Sequence, residues 1–338
     1  MKVITKETGY IIGVFVAVVL VTGLAAFYLI TLPQPASVPD NLVISTGSPE
    51  FSALTLVADK KGFFTKNGLN VTIRHYPTGV GAVNDLMEGN ADLACAAEFV
   101  GVSLIEKYPD LRIIGSTAKS DVISIVSRND RGIASPKDLK GKSVAVPKNT
   151  QAEFFLGRYL TLNGIDPADV TVHYLSPPDL VQSVVTGKDD AAIIWEPYAF
   201  TIGRQLGKNS TTFPAQGGQL FYWLVYTRPD VIRNRPGVLA RYFQALEEAG
   251  KYMGQNENES KAIIREQVNL PEDYVNSVWK KNEYLVSLDQ SLIIAMEDES
   301  RWMISNNLTD NKLVPNYLGY ISTEPLNTVN PQAVNIIR

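Results

Sequence analysis

The chain has 338 residues, 45% hydrophobic and 20% charged, enough apolar material for two packed lobes and too much chain for one small core. A formal net charge of -4, with no long Lys/Arg block, excludes a nucleic-acid surface. One cysteine, Cys95, excludes an internal disulfide, and with only His75 and His173 beside it neither a metal centre nor a cofactor is expected.

Residues 10–30 carry no charge and are apolar almost throughout, with Lys2 and Lys6 before them and Pro33, Pro35 and Pro39 after. A membrane span needs roughly 20 such residues, whereas the core of a cleaved signal peptide has about 7–15. The run therefore predicts an uncleaved signal anchor, with residues 1–9 in the cytoplasm and the rest of the chain outside the cell membrane. A small-residue site near Ala36 leaves cleavage open as an alternative, and no cysteine follows the run, which excludes a lipoprotein. Residues 31–40 are Pro-rich and predict a semi-rigid linker.

Beyond the linker, short strands alternate with helices, the pattern of an α/β protein. Strands are predicted at 41–46, 69–74, 91–96 and 111–116, with helices at 52–60 and 82–88 between them. Leu69, Val71 and Ile73 alternate with Asn70, Thr72 and Arg74, as in a half-buried strand. A second unit follows, with strands at 122–127, 143–146, 171–175 and 191–195 and helices at 151–162 and 179–186. After the Gly-rich passage 215–219, a strand at 221–226 leads into helices at 236–253, 259–268, 271–284 and 290–306. The tail, 311–338, has no strong periodicity and is expected over the surface. This order predicts two α/β lobes crossed twice by the chain, lobe 1 from 41–120 and 218–338 and lobe 2 from 121–217, with a ligand cleft at a two-strand hinge.

Several stretches resemble one family. Residues 58–64 (ADKKGFF) with 67–71 (NGLNV), 88–93 (EGNADL), 135–144 (SPKDLKGKSV), and 185–192 (VTGKDDAA) leading into 195–198 (WEPY) are similar, in the same order, to the solute-binding proteins for nitrate, sulfonates, taurine and thiamine pyrimidine precursors. The resemblance covers roughly residues 41–200 and more loosely extends to about 305. It implies the type II periplasmic-binding-protein fold and a monomeric capture component that delivers a small molecule to an ABC permease and its ATPase.

Four loops are expected to face the cleft. Ser48, Glu50 and Phe51 follow the first strand, where free backbone amides and the Ser48 hydroxyl suit a ligand, although Ser48 also reads as a helix cap before Pro49. Glu98 and Phe99 follow the strand ending at Ala96; the carboxylate suits an amine, or merely opens the next helix. Asn149, Thr150 and Gln151 open a helix, a place where the family resembled commonly holds oxyanions, here with Lys148 in place of a small loop. Trp195 and Glu196 end a strand of lobe 2, and the indole suits stacking on a flat ligand or cation. Trp223 and Tyr222 are candidate neighbours of this group from the facing lobe, with a place in the core as the favoured alternative. Counting Glu50, Glu98 and Glu196 against Lys148 and Lys119 points to an amine-bearing ligand, a taurine-like sulfonate or an aminopyrimidine, rather than nitrate.

Catalysis is not expected. The fold class also hosts enzymes, and pyrimidine-forming relatives resemble this family, but those depend on a cysteine-rich segment and an active-site histidine. Cys95 alone, with His75 and His173 in strands, does not reproduce that arrangement. A ligand-sensing ectodomain is the remaining alternative.

Overall fold

A computed structural model describes residues 38–337 other than 48 and 270, and the side chains of all of these except 49, 50 and 268. The expected anchor at 10–30, most of the expected linker, and Ser48 lie outside the described residues. Among the described residues, no helix is long and apolar enough to cross a membrane.

The strands are β1 (Asp40–Thr46), β2 (Leu69–His75), β3 (Leu93–Ala97), β4 (Arg112–Ser120), β5 (Ile123–Arg128), β6 (Ser143–Val146), β7 (Thr171–Tyr174), β8 (Ala191–Trp195), β9 (Ser210–Pro214), β10 (Phe221–Thr227) and β11 (Asn282–Glu283). The helices of the first half are α1 (Ala53–Lys60), α2 (Phe63–Lys66), α3 (Gly79–Met87), α4 (Glu98–Leu104), α5 (Gln151–Leu162), α6 (Pro177–Thr186) and α7 (Tyr198–Leu206). Those of the second half are α8 (Pro229–Asn234), α9 (Pro236–Gln255), α10 (Glu257–Val268), α11 (Glu272–Trp279), α12 (Gln290–Ser305) and α13 (Glu324–Asn327).

These strands form two mixed sheets, six-stranded in the order β11-β4-β10-β3-β1-β2 in lobe 1 and five-stranded in the order β7-β6-β8-β5-β9 in lobe 2. Position in the sheet explains the sequence of each strand. β3 (LACAA) lies between β1 and β10, and β8 (AAIIW) between β6 and β5, so both are buried along their whole length and read as unbroken apolar runs. β2 is an edge strand with one face in water, which keeps its alternation.

The chain leaves lobe 1 from β4 to β5 and returns from β9 to β10, and the two crossings are neighbours because Phe221 pairs with Ser120. Gln216, fully buried, joins them. Its Oε1 accepts from the Ile123 amide at 2.8 Å, and its Nε2 donates to the carbonyls of Ser120 at 2.9 Å and Gln219 at 2.7 Å.

Two expectations differ from the fold, and two elements were not expected. The helix expected over 271–284 ends at Trp279, because the next residues pair with β4 as β11. β9 and α7, which had no expectation, complete lobe 2. The tail is tied down: Tyr317 and Leu326 are buried, and bridges link Ile321 to Ile113 and Val334 to Leu288.

Candidate functional site

Strand ends from both lobes surround a small cavity of about 30 Å³. Lobe 1 contributes Phe51, Gly79, Ala97, Val100, Phe221 and Trp223; lobe 2 contributes Ile123, Thr150, Gln151 and Trp195. β1, β3, β6 and β8 all deliver their C-terminal ends here, the place where open α/β sheets bind ligands.

The lobe 1 wall is aromatic. Phe51 packs edge-on against Phe221, with ring centroids 5.1 Å apart, and against Trp223 at 5.1 Å. The Trp223 Nε1–H donates to Ser52 Oγ at 3.1 Å, and Ser52 in turn bonds Thr46 Oγ1 at 2.7 Å. Gly79 opens α3 against this wall. A Cβ there would sit 2.5 Å from the Ala96 Cβ, so only glycine lets the helix start so close to β3.

The lobe 2 wall holds the polar groups. Trp195 lines the cavity, and its Nε1–H is buried with no acceptor. Thr150 caps α5 and donates its hydroxyl to the Pro147 carbonyl at 2.7 Å. Gln151 spends both ends of its carboxamide on lobe 1: Oε1 accepts from the Phe99 amide at 3.2 Å, and Nε2 donates to Glu299 Oε1 at 2.6 Å. α5 presses further onto lobe 1 through Phe154 and Gly157, where a Cβ would meet the Trp302 indole at 2.5 Å. The cavity therefore lies between lobes already in contact.

Of the residues expected at the site, Phe51, Thr150, Gln151 and Trp195 line the cavity. Phe99 lies behind it, stacked on Phe154 at 5.9 Å. Asn149 has a left-handed φ of 57° and donates its amide to Glu153 Oε2 at 2.6 Å, so it shapes the loop before α5. Glu98 is fully buried and opens α4; its Oε2 accepts from the Tyr222 amide at 2.8 Å, turned away from the cavity. Glu196 does not line the cavity, and its Oε2 accepts from the Phe200 amide at 2.9 Å, closing the first turn of α7. Burial raises the Glu196 pKa, opposed by that hydrogen bond and by the charge of Lys281. The Glu50 side chain is outside the described ones.

The two cations are also elsewhere. Lys148 lies over the Tyr174 ring, 5.5 Å from its centroid, and Lys119 pairs with Asp289 at 2.7 Å. No charged side chain is thus found among the described residues that line the cavity.

Sequence reasoning missed Gly79, Ala97, Val100, Ile123 and Phe221 as lining residues, and favoured the core for Trp223, which lines the wall. A signal for the first was present: Thr78-Gly79-Val80-Gly81 after a strand is a glycine-rich helix start, suited to close approach by a ligand. His75 and His173 do not line the cavity; His173 Nδ1 lies 2.6 Å from the buried Asp189 on the outer side of lobe 2. Cys95 is buried in β3, and burial pushes its thiol pKa up to about 12.

A family model described as NMT1/THI5 like matches residues 49–260. Over 288 residues the chain is 26% identical to a putative binding protein of Brucella abortus (strain 2308), covering 79% of this chain and 86% of that one. It is 25% identical over 244 residues to the taurine-binding periplasmic protein of Escherichia coli (strain K12), covering 68% and 73%. The solved structure of the alkanesulfonate-binding protein SsuA from Xanthomonas axonopodis pv. citri, bound to MOPS, matches with a TM-score of 0.74 at 18% identity, covering 86% of this chain and 100% of that chain. The two-sheet architecture and this likeness give the periplasmic-binding-protein fold, and the match over residues 49–260 places the chain in the NMT1/THI5-like family.

Proposed function

We propose that this protein is the extracytoplasmic solute-binding component of an ABC importer and that its ligand is a small organic sulfonate. The observation that carries the ligand class is the Trp195 Nε1–H, buried without an acceptor in a cavity on which two helices open, α3 at Gly79 and α5 at Gln151. Unpaired amides and the dipole at a helix N-terminus favour an anion, and a buried indole N–H left unpaired costs about 1–3 kcal/mol that a ligand oxygen recovers. A sulfonate offers three acceptor oxygens to such donors, and its organic tail would rest on Phe51, Phe221 and Trp223. Nitrate would leave that aromatic wall unused.

Of the three acids behind the expected amine preference, Glu98 and Glu196 do not line the cavity, and the Glu50 side chain lies outside the described ones, so two of the three no longer support it. The same geometry favours an alkanesulfonate without an ammonium group over taurine. The buried thiol of Cys95 and the distance of both histidines from the cavity support binding rather than turnover.

The test is a thermal-shift and titration panel on residues 38–338: ethanesulfonate, taurine, an aminopyrimidine and nitrate. A ligand bound only by the folded state at 100 times its Kd adds about 2.7 kcal/mol of stability, a readily measured rise in Tm. Ethanesulfonate is expected to bind most tightly and taurine more weakly. A shift with the aminopyrimidine or nitrate alone would overturn the sulfonate reading.

A further inference from the structure

Beside the cavity-lining Gln151 lies a pair of buried carboxyl groups. Glu98, at the start of α4, and Glu299, on α12, are both fully buried. Glu98 Oε2 accepts from the Tyr222 amide at 2.8 Å, and Glu299 Oε1 accepts from Gln151 Nε2 at 2.6 Å. The remaining oxygens, Glu98 Oε1 and Glu299 Oε2, are buried without a donor from any other residue. The two carboxyl groups are close enough to interact with each other. Two unpaired carboxylates in such a place repel, and a single proton between them removes both the repulsion and the missing donor.

Among the described residues, no neighbouring element supplies a compensating cation. From β10 come Tyr222, whose hydroxyl pairs with Ser291 at 2.7 Å, and Tyr226, whose hydroxyl donates to the Ala97 carbonyl at 3.0 Å. On α12 itself Asp298 adds negative charge and is paired with Arg158 of α5 at 3.6 Å. Tyr317 of the tail bonds Ser300, and Lys119 of β4 is held by Asp289 at 2.7 Å. Burial, the largest cause, raises the pKa of both carboxyls, and for Glu299 the charge of Glu98 raises it further; the hydrogen bonds from Tyr222 to Glu98 and from Gln151 to Glu299 oppose this more weakly.

The polar contact that lobe 2 makes to this pair is Gln151. The Tyr222 amide, α4 and α12 belong to lobe 1, so parting the lobes withdraws the Gln151 amide from Glu299 and leaves the pair facing water on that side. We infer that the Glu98–Glu299 pair keeps one shared proton while Gln151 covers it, and that closure of the lobes on a ligand therefore takes up a proton. This rests on the binding-protein reading above and adds to it a proton linkage. The sign follows from the raised pKa of the closed form. Affinity is complete at a pH below the ordinary carboxyl value of about 4.5. It falls as pH rises from there through the raised value of the closed pair.

Ethanesulfonate is a suitable probe because its own charge does not change in this range. Titration calorimetry at pH 7, in two buffers of different ionisation heat, should report uptake of up to about one proton per ligand. Between pH 6 and 8 the wild-type Kd should weaken by about fivefold or more, the limit for one proton being tenfold per pH unit. Glu299→Gln reproduces the protonated partner, accepting from Gln151 and donating to Glu98. It should bind at pH 8 at least as tightly as wild type does at pH 6, and change less than about twofold across the range. An equal pH dependence in both proteins, or no proton uptake by wild type, overturns the inference. A ligand-free arm separates this from the sulfonate reading: with the lobes parted the pair faces water, so the Tm difference between wild type and Glu299→Gln should stay constant between pH 5 and 8. A difference that grows with pH overturns the linkage to closure whatever the ligand is. Failure of ethanesulfonate to bind either protein at any pH overturns the sulfonate reading instead.

Discussion

On the lobe 1 side of the cavity, Phe51, Phe221 and Trp223 pack on one another, and the Trp223 N–H is already satisfied by Ser52. On the lobe 2 side, Trp195 has an indole N–H without an acceptor, and Gln151 places both ends of its side chain on lobe 1. The first wall is complete within its own lobe. The second reaches its full set of partners only with the other lobe and a ligand. An organic tail can therefore settle on lobe 1 first, and lobe 2 then adds its donors as it closes, because a ligand shifts such an equilibrium only through contacts that differ between the two states.

This contrast is open to attack through single substitutions. Trp223→Ala removes a nearly buried indole from the central strand of lobe 1 and should cost about 3–5 kcal/mol of stability, read as a lowered denaturant midpoint, in addition to any loss of binding. Trp195→Ala should cost about 1–3 kcal/mol of affinity, as for a central aromatic anchor, with the larger share of its effect on Kd rather than on Tm. Equal losses of stability in the two variants would erase the distinction between the walls. Lys148→Ala should change affinity by less than about 0.5 kcal/mol, since the ammonium lies over Tyr174 and not in the cavity. A tenfold loss there would mean that lobe 2 holds its anion with a cation after all.

The architecture was legible because position in a sheet leaves a periodic trace. The alternation of β2 was legible as a half-buried strand, and the unbroken apolar runs of β3 and β8 were legible as strands, their central places emerging only with the sheets. β11 left no trace, since two residues carry no period, and it was absorbed into the expected helix. At the site, Trp195, Thr150 and Gln151 were readable as residues at strand ends and helix starts. The directions of Glu98 and Glu196 were not. Each follows a strand and opens a helix, and one carboxylate can serve either the next backbone amide or a ligand; the competition is settled by contacts such as Tyr222 to Glu98, which is 124 positions away. Gln151 to Glu299, spanning 148 positions, was invisible for the same reason.

The strand order also carries a consequence for how the chain is made. β10 lies between β3 and β4, yet it follows them in sequence only after every strand of lobe 2. During synthesis, residues 123–214 emerge as one unbroken stretch and can complete their own sheet, while lobe 1 waits with a gap at its centre. Until residues 221–227 arrive, the facing edges of β3 and β4 present unpaired backbone groups, the kind of template on which chains misassociate. The part inserted in the middle is thus the first able to finish, and the lobe that begins the fold is sealed by the strand that arrives after it.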